Sequence, residues 1–139
     1  MKTSLRGWLE QQRAHGRVVW GYGTPAKGTV LLNYCDIGTD LLPVVVDSTP
    51  AKQGLYVPGT HQSIRSPDDV QRVQPDAVLI LAWNHAAEIV AREAAYLERG
   101  GCMITPDLRE WSPASLTRQT DGHRVRPHLA AAASLAALR

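Results

Sequence analysis

Lys27 closes the stretch "GYGTPAK" immediately before Gly28, so one ammonium group follows two spaced glycines and a Thr-Pro pair. Apolar runs flank the segment, "RVVW" before it and "TVLLNYC" after it. Gly21 and Gly23 allow the backbone to turn sharply and to approach a ligand. Thr24 is placed to cap the helix that Pro25 opens. Free N–H groups in that first turn, with the helix dipole behind them, suit an anion and disfavour Lys27 unless an anion lies beside it. A phosphate or diphosphate fits this pattern. So does a plain strand-to-helix turn with a solvated lysine.

Asp47 ends the next apolar run, "LPVVVD", 26 residues after Gly21. In nucleotide-binding α/β folds an acid near that spacing accepts from ribose hydroxyls. The glycine pattern is G-x-G-x4-G, with Gly28 two positions late for the dinucleotide fingerprint. A second corner, "WNHAAE", offers Trp83 as a stacking surface for a base or sugar, or as a cover for the sheet. Asn84 is expected to cap a helix there, and His85 reads as a surface residue. Between these corners runs "STPAKQGLYVPGTHQSIR", which carries Lys52, Tyr56 and His61, with Gly54 and Gly59 as hinges. Tyr56 and His61, with Lys27 and His85, are the side chains available for proton transfer.

These residues need a frame. Leu5, Trp8 and Leu9 recur at helical spacing within "TSLRGWLEQQRA", a helix that Gly16 ends. "RVVWGY" is the first strand, and residues 25–37 form a helix closed at Gly38. "LPVVVD" is a β-branched strand buried on both faces. Residues 48–65 form a long connection, of a length that is usually functional or mobile, and "SPDDVQRV" a helix with Ser66 as its cap. "AVLILAW" is the clearest strand; a helix over His85–Arg99 ends at Gly100-Gly101, and "CMIT" is a last short strand. Alternating elements of this kind predict a Rossmann-like three-layer α/β domain, with about four to five mostly parallel strands. The expected organisation is a linker-like helix over 1–16, the domain over 17–108, and a tail over 109–139 with a short alanine-rich helix.

The 139 residues suit one domain, with 44% apolar and 20% charged residues. Fifteen Lys and Arg spread along the chain give a net charge of +2, which argues against a nucleic-acid partner. No apolar stretch reaches membrane length and no hydrophobic signal region opens the chain, so a cytoplasmic location is expected. Cys35 and Cys102 are expected to be buried reduced thiols, and no metal site is expected.

"GYGTPAKGTVLLNYCDIG", "VVVDSTPAKQGLYVPGTHQSI" and "VLILAWNHAAEI" together resemble the C-terminal domain of the S-adenosylmethionine-dependent sugar C-methyltransferases, over roughly 16–106. The resemblance implies that Gly21, Gly23, Thr24 and Lys27 lie by the diphosphate of a nucleoside-diphosphate sugar. It also implies that the Lys52–His61 loop and the Trp83–Asn84 corner face the nucleotide or the sugar. In that family a cysteine-rich zinc segment and a central methyltransferase domain, which holds S-adenosylmethionine and the general base, precede this domain. Neither motif is present here, so the chain alone is expected not to methylate. S-adenosylmethionine would reach it only through a missing domain or a partner such as a separate methyltransferase chain.

Three functions stay open on these grounds. One is a nucleotide-sugar binding component. Another is a small stand-alone enzyme moving a proton next to a carbonyl, as an epimerase or isomerase does. The third is a non-catalytic interaction domain. A dinucleotide dehydrogenase ranks below these, because no second half is available to hold a nicotinamide.

Overall fold

A computed structural model describes residues 2–112. The chain runs α1 (Lys2–Ala14), β1 (Val19–Tyr22), α2 (Ala26–Tyr34), β2 (Val44–Val46), β3 (Ser63–Arg65), α3 (Asp68–Val73) and β4 (Ala77–Ile80). It continues through α4 (Ala86–Arg92), α5 (Ala94–Glu98), β5 (Met103–Ile104) and β6 (Glu110–Trp111). Single turns of 3-10 helix cover Pro50–Lys52 and Trp83–His85. The six strands form one sheet in the order β3-β2-β1-β4-β5-β6. Every pairing is parallel except that of β5 with β6. This is the Rossmann-type order, and it leaves a crevice where the connections of β1 and β4 diverge.

The two-residue period of each strand divides the core into two layers. Val19, Val45, Ala77, Leu79 and Ile104 point to one face, where Leu5 and Leu9 of α1 and Leu32 of α2 cover them. Trp20, Tyr22, Val44, Val46, Val78, Ile80 and Met103 point to the other, covered by α3, α4 and α5 through Val70, Ile89, Val90 and Tyr96. α1 is therefore built into the domain, with Leu5 and Leu9 fully buried.

Several expectations need correction. The sheet has six strands. β3 lies inside the expected long loop, and β6 lies beyond the expected domain end at 108. Both are too short for sequence periodicity to reveal, and neighbouring strands stabilise them. The helix after β1 ends at Tyr34, where Asp36 takes a left-handed conformation (φ 56°) and Ile37 N–H bonds back to Leu32 O. Gly38 therefore follows the cap. The expected helix over 85–99 breaks at Glu93, a buried carboxylate drawn inward by Tyr22 and Gln71. Ser66 behaves as anticipated, its Oγ accepting from Asp68 N–H at 3.2 Å. Cys35 is buried and Cys102 half-buried, and neither forms a disulfide. The alanine-rich segment lies outside the described residues.

Candidate functional site

A cleft of about 420 Å³ opens at the carboxyl ends of β1, β2 and β4. β1 and the turn after it contribute Tyr22, Gly23, Thr24 and Pro25. The end of β2 and its connection contribute Asp47, Ser48, Thr49 and Lys52. The opposite side is Ala82 with His85, Glu88, Ile89 and Arg92, residues spaced i, i+3, i+4, i+7 along the 3-10 turn and α4. Clefts of this volume and position are where open α/β sheets bind ligands.

Glycines let the turn after β1 close so tightly. Gly23 has φ +95°, and a Cβ on it would lie 2.7 Å from Ala82 Cβ. A Cβ on Gly28 would meet Leu81 Cβ at 3.0 Å, so the late third glycine serves close helix–strand packing.

Thr24 does not cap α2, as the sequence suggested. Its hydroxyl donates to Asp47 Oδ2 at 2.5 Å, and its N–H reaches the same oxygen at 3.0 Å. Thr49 N–H donates to Asp47 Oδ1 at 2.8 Å. Lys52 Nζ donates to Thr24 Oγ1 at 3.1 Å and stands 4.0 Å from Asp47 Oδ2. Asp47 thus ties the β1 turn to the connection after β2. Burial pushes its carboxyl upward, but bonds from Thr24 and Thr49, with the Lys52 ammonium, outweigh that and hold it below its ordinary value.

Beneath the cleft, Tyr22 Oη donates to Glu93 Oε2 at 2.7 Å, and Gln71 Nε2 donates to Glu93 Oε1 at 3.1 Å. Burial first, then Glu93, raises Tyr22 well above the phenol range, so it remains a donor at neutral pH. The Tyr22 hydroxyl in turn raises Arg92, which keeps its charge at the cleft wall.

Of the residues singled out from sequence, Gly23, Thr24, Asp47, Lys52 and His85 line this cleft. Gly21 is buried two residues before Gly23, packed under Leu81 and Val45. Lys27 is exposed in the first turn of α2 and is not part of the lining. Tyr56 and His61 are exposed elsewhere. Their segment folds back as a small hairpin, with Tyr56 bridged to Ser63 and Val57 N–H bonded to Gln62 O. Gln62 Nε2 donates to Ile37 O, and Asn33 Nδ2 to Pro58 O. These bonds hold the hairpin at the far end of α2, roughly 13 Å along the helix from the cleft end. Trp83 lines a separate cavity, and Asn84 is exposed without capping α4. Sequence reasoning missed Ser48, Thr49, Glu88 and Arg92; the polar spacing from His85 to Arg92 beside the apolar stripe was the available signal. Among the described residues, no group of three His, Cys, Asp or Glu gathers to hold a metal.

The model of the C-methyltransferase C-terminal domain family matches residues 1–106 of this sequence. The chain belongs to that family. It is also 43% identical over 106 residues to the C-methyltransferase NovU of Streptomyces niveus. That alignment covers 76% of this chain and 25% of the relative, so the chain spans about a quarter of the length of the curated protein it matches. The family assignment agrees with the resemblance carried by the three motifs. Among the described residues, no helix is long and apolar enough to cross a membrane.

Proposed function

We propose that this domain binds a nucleoside-diphosphate sugar for a C-methyltransferase reaction, with the diphosphate in the cleft between the β1 turn and α4. The observation that carries this reading is the placement of two cations on opposite sides of one crevice. Lys52 comes from the connection after β2, and Arg92 comes from α4. Both can reach an anion at the topological switch point, and Arg suits bidentate contact with phosphate oxygens. The hydroxyls of Thr24, Ser48 and Thr49 line the same space. Because Asp47 is engaged by Thr24, Thr49 and Lys52, its charge is largely compensated within the protein.

The role assigned to these side chains is binding and orientation of the substrate. Removal of a proton next to the ketone and methyl transfer from S-adenosylmethionine belong, on this reading, to groups outside this domain. Tyr56 and His61 lie away from the cleft, which favours the binding component over a stand-alone proton-transfer enzyme. Calorimetric titration with a panel of uridine- and thymidine-diphosphate sugars tests the reading. Binding that weakens about tenfold in Lys52→Ala and Arg92→Ala supports it, and a flat trace across the panel removes it.

A further inference from the structure

We propose that the cavity under Trp83 holds the planar nucleobase of the ligand whose diphosphate occupies the neighbouring cleft. This cavity measures about 260 Å³ and lies at the carboxyl ends of β4 and β5, lined by Trp83, Thr105, Pro106, Asp107, Arg109 and Trp111. The inference rests on the diphosphate reading for the first cleft and extends it to the other end of the ligand.

Planar groups line this cavity, and one of them is held in place. Trp111 is buried, and its Nε1–H is committed to Thr105 Oγ1 at 3.1 Å, which locks the indole plane. The Arg109 guanidinium lies over that ring, 4.1 Å from its centroid, and presents a planar cation. Trp83 supplies a second, half-buried indole. Aromatic and guanidinium faces of this kind stack on bases.

The polar groups suit a base edge. Thr105 Oγ1 donates to Asp107 Oδ1 at 2.6 Å, and Arg109 N–H reaches the same oxygen at 3.2 Å. Both bonds fall on Oδ1, which orients the exposed carboxylate and leaves Oδ2 as the acceptor for a ring N–H. Arg109 supplies donors for an adjacent carbonyl or ring nitrogen.

The single 3-10 turn Trp83–His85 joins the two spaces, with Trp83 in one and His85 in the other. Two residues of chain span no more than about 7 Å, so the backbone points that carry the two lining side chains lie within the length of one nucleotide.

The test uses the full chain, with uridine 5′-diphosphate, uridine and inorganic pyrophosphate as probes. Calorimetry is run on the unmodified protein, Trp83→Leu, Asp107→Asn and Lys52→Ala, and the indole N–H signals of the four tryptophans are followed by NMR. Trp83→Leu and Asp107→Asn should each weaken uridine diphosphate about tenfold while pyrophosphate binding stays within about twofold. Lys52→Ala should weaken both ligands, and uridine alone should shift the Trp83 and Trp111 signals. Asp107 is exposed, so its substitution keeps the test decisive if Trp83→Leu does not fold. Unchanged uridine diphosphate affinity in both variants, with no indole shift, overturns the base site and leaves the diphosphate reading standing. Indole shifts by uridine without any pyrophosphate binding support the ring site and remove the diphosphate cleft. No binding of any probe removes both.

Discussion

The hydroxyl of Thr24, at the end of β1, donates to Oδ2 of Asp47, at the end of β2, at 2.5 Å. The Thr24 N–H meets the same oxygen at 3.0 Å, so a side-chain carboxylate already sits on the first amide of the turn. The contact joins neighbouring strands at the mouth of the cleft, and Lys52 closes over it. An anion entering the cleft meets an arranged rim, and the ammonium group of that rim is held by the same pair.

Asp47→Asn should lower stability by about 1.5–3 kcal/mol at neutral pH, the usual range for bonds to a buried charged acceptor. The Asp47 carboxyl is depressed in the folded state from its ordinary 3.8. Its contribution is therefore present above that value and lost as pH falls through the lower folded one. Urea unfolding from pH 7 down to pH 3 should show the gap between variant and parent narrowing only at the acid end.

Glycine positions that share a left-handed backbone should respond unequally to alanine. Gly54 has φ +91° with nothing within 4 Å of an added Cβ, so Gly54→Ala should cost only about 1 kcal/mol of backbone strain. Gly23→Ala adds a collision with Ala82 Cβ and should cost clearly more, with ligand binding lost as the β1 turn is displaced. Equal melting temperatures for the two variants would refute the close approach of β1 and β4.

Glu93 should behave as the anchor beneath the cleft. It is 4% exposed and accepts from both Tyr22 and Gln71. Glu93→Ala leaves the buried Tyr22 hydroxyl without its acceptor and should cost about 2–3 kcal/mol, measured by chemical denaturation. Glu93→Gln keeps an acceptor oxygen and should retain part of that stability.

α1 should count as core. Leu5 and Leu9 are each 0% exposed, so Leu5→Ala or Leu9→Ala should cost about 2–5 kcal/mol in a cooperative transition. A loss below about 0.5 kcal/mol for both would mean that α1 detaches without consequence.

The layered α/β plan and the first strand-to-helix turn were legible in the order of residues. The β-branched run Val44–Val46 and the apolar run Ala77–Ile80 are buried on both faces, and that pattern already implied a parallel sheet between helical layers. Gly21 and Gly23 marked a sharp turn, and at Gly23 an added Cβ would collide with Ala82; that Gly28 packs against Leu81 emerged only from the fold. Which side chains share a site followed from the docking of separate elements. Thr24 could satisfy a helix end or a neighbouring strand, and the distance to Asp47 chose the strand. Tyr56 and His61 were taken from the cleft by the bonds Gln62 and Asn33 make to distant carbonyls. Arg92 entered because α4 packs its Ile89 face against the sheet, which turns the next residue of that stripe to the crevice. Periodicity reports which face of an element is buried, but the partner across a gap depends on how separate elements dock.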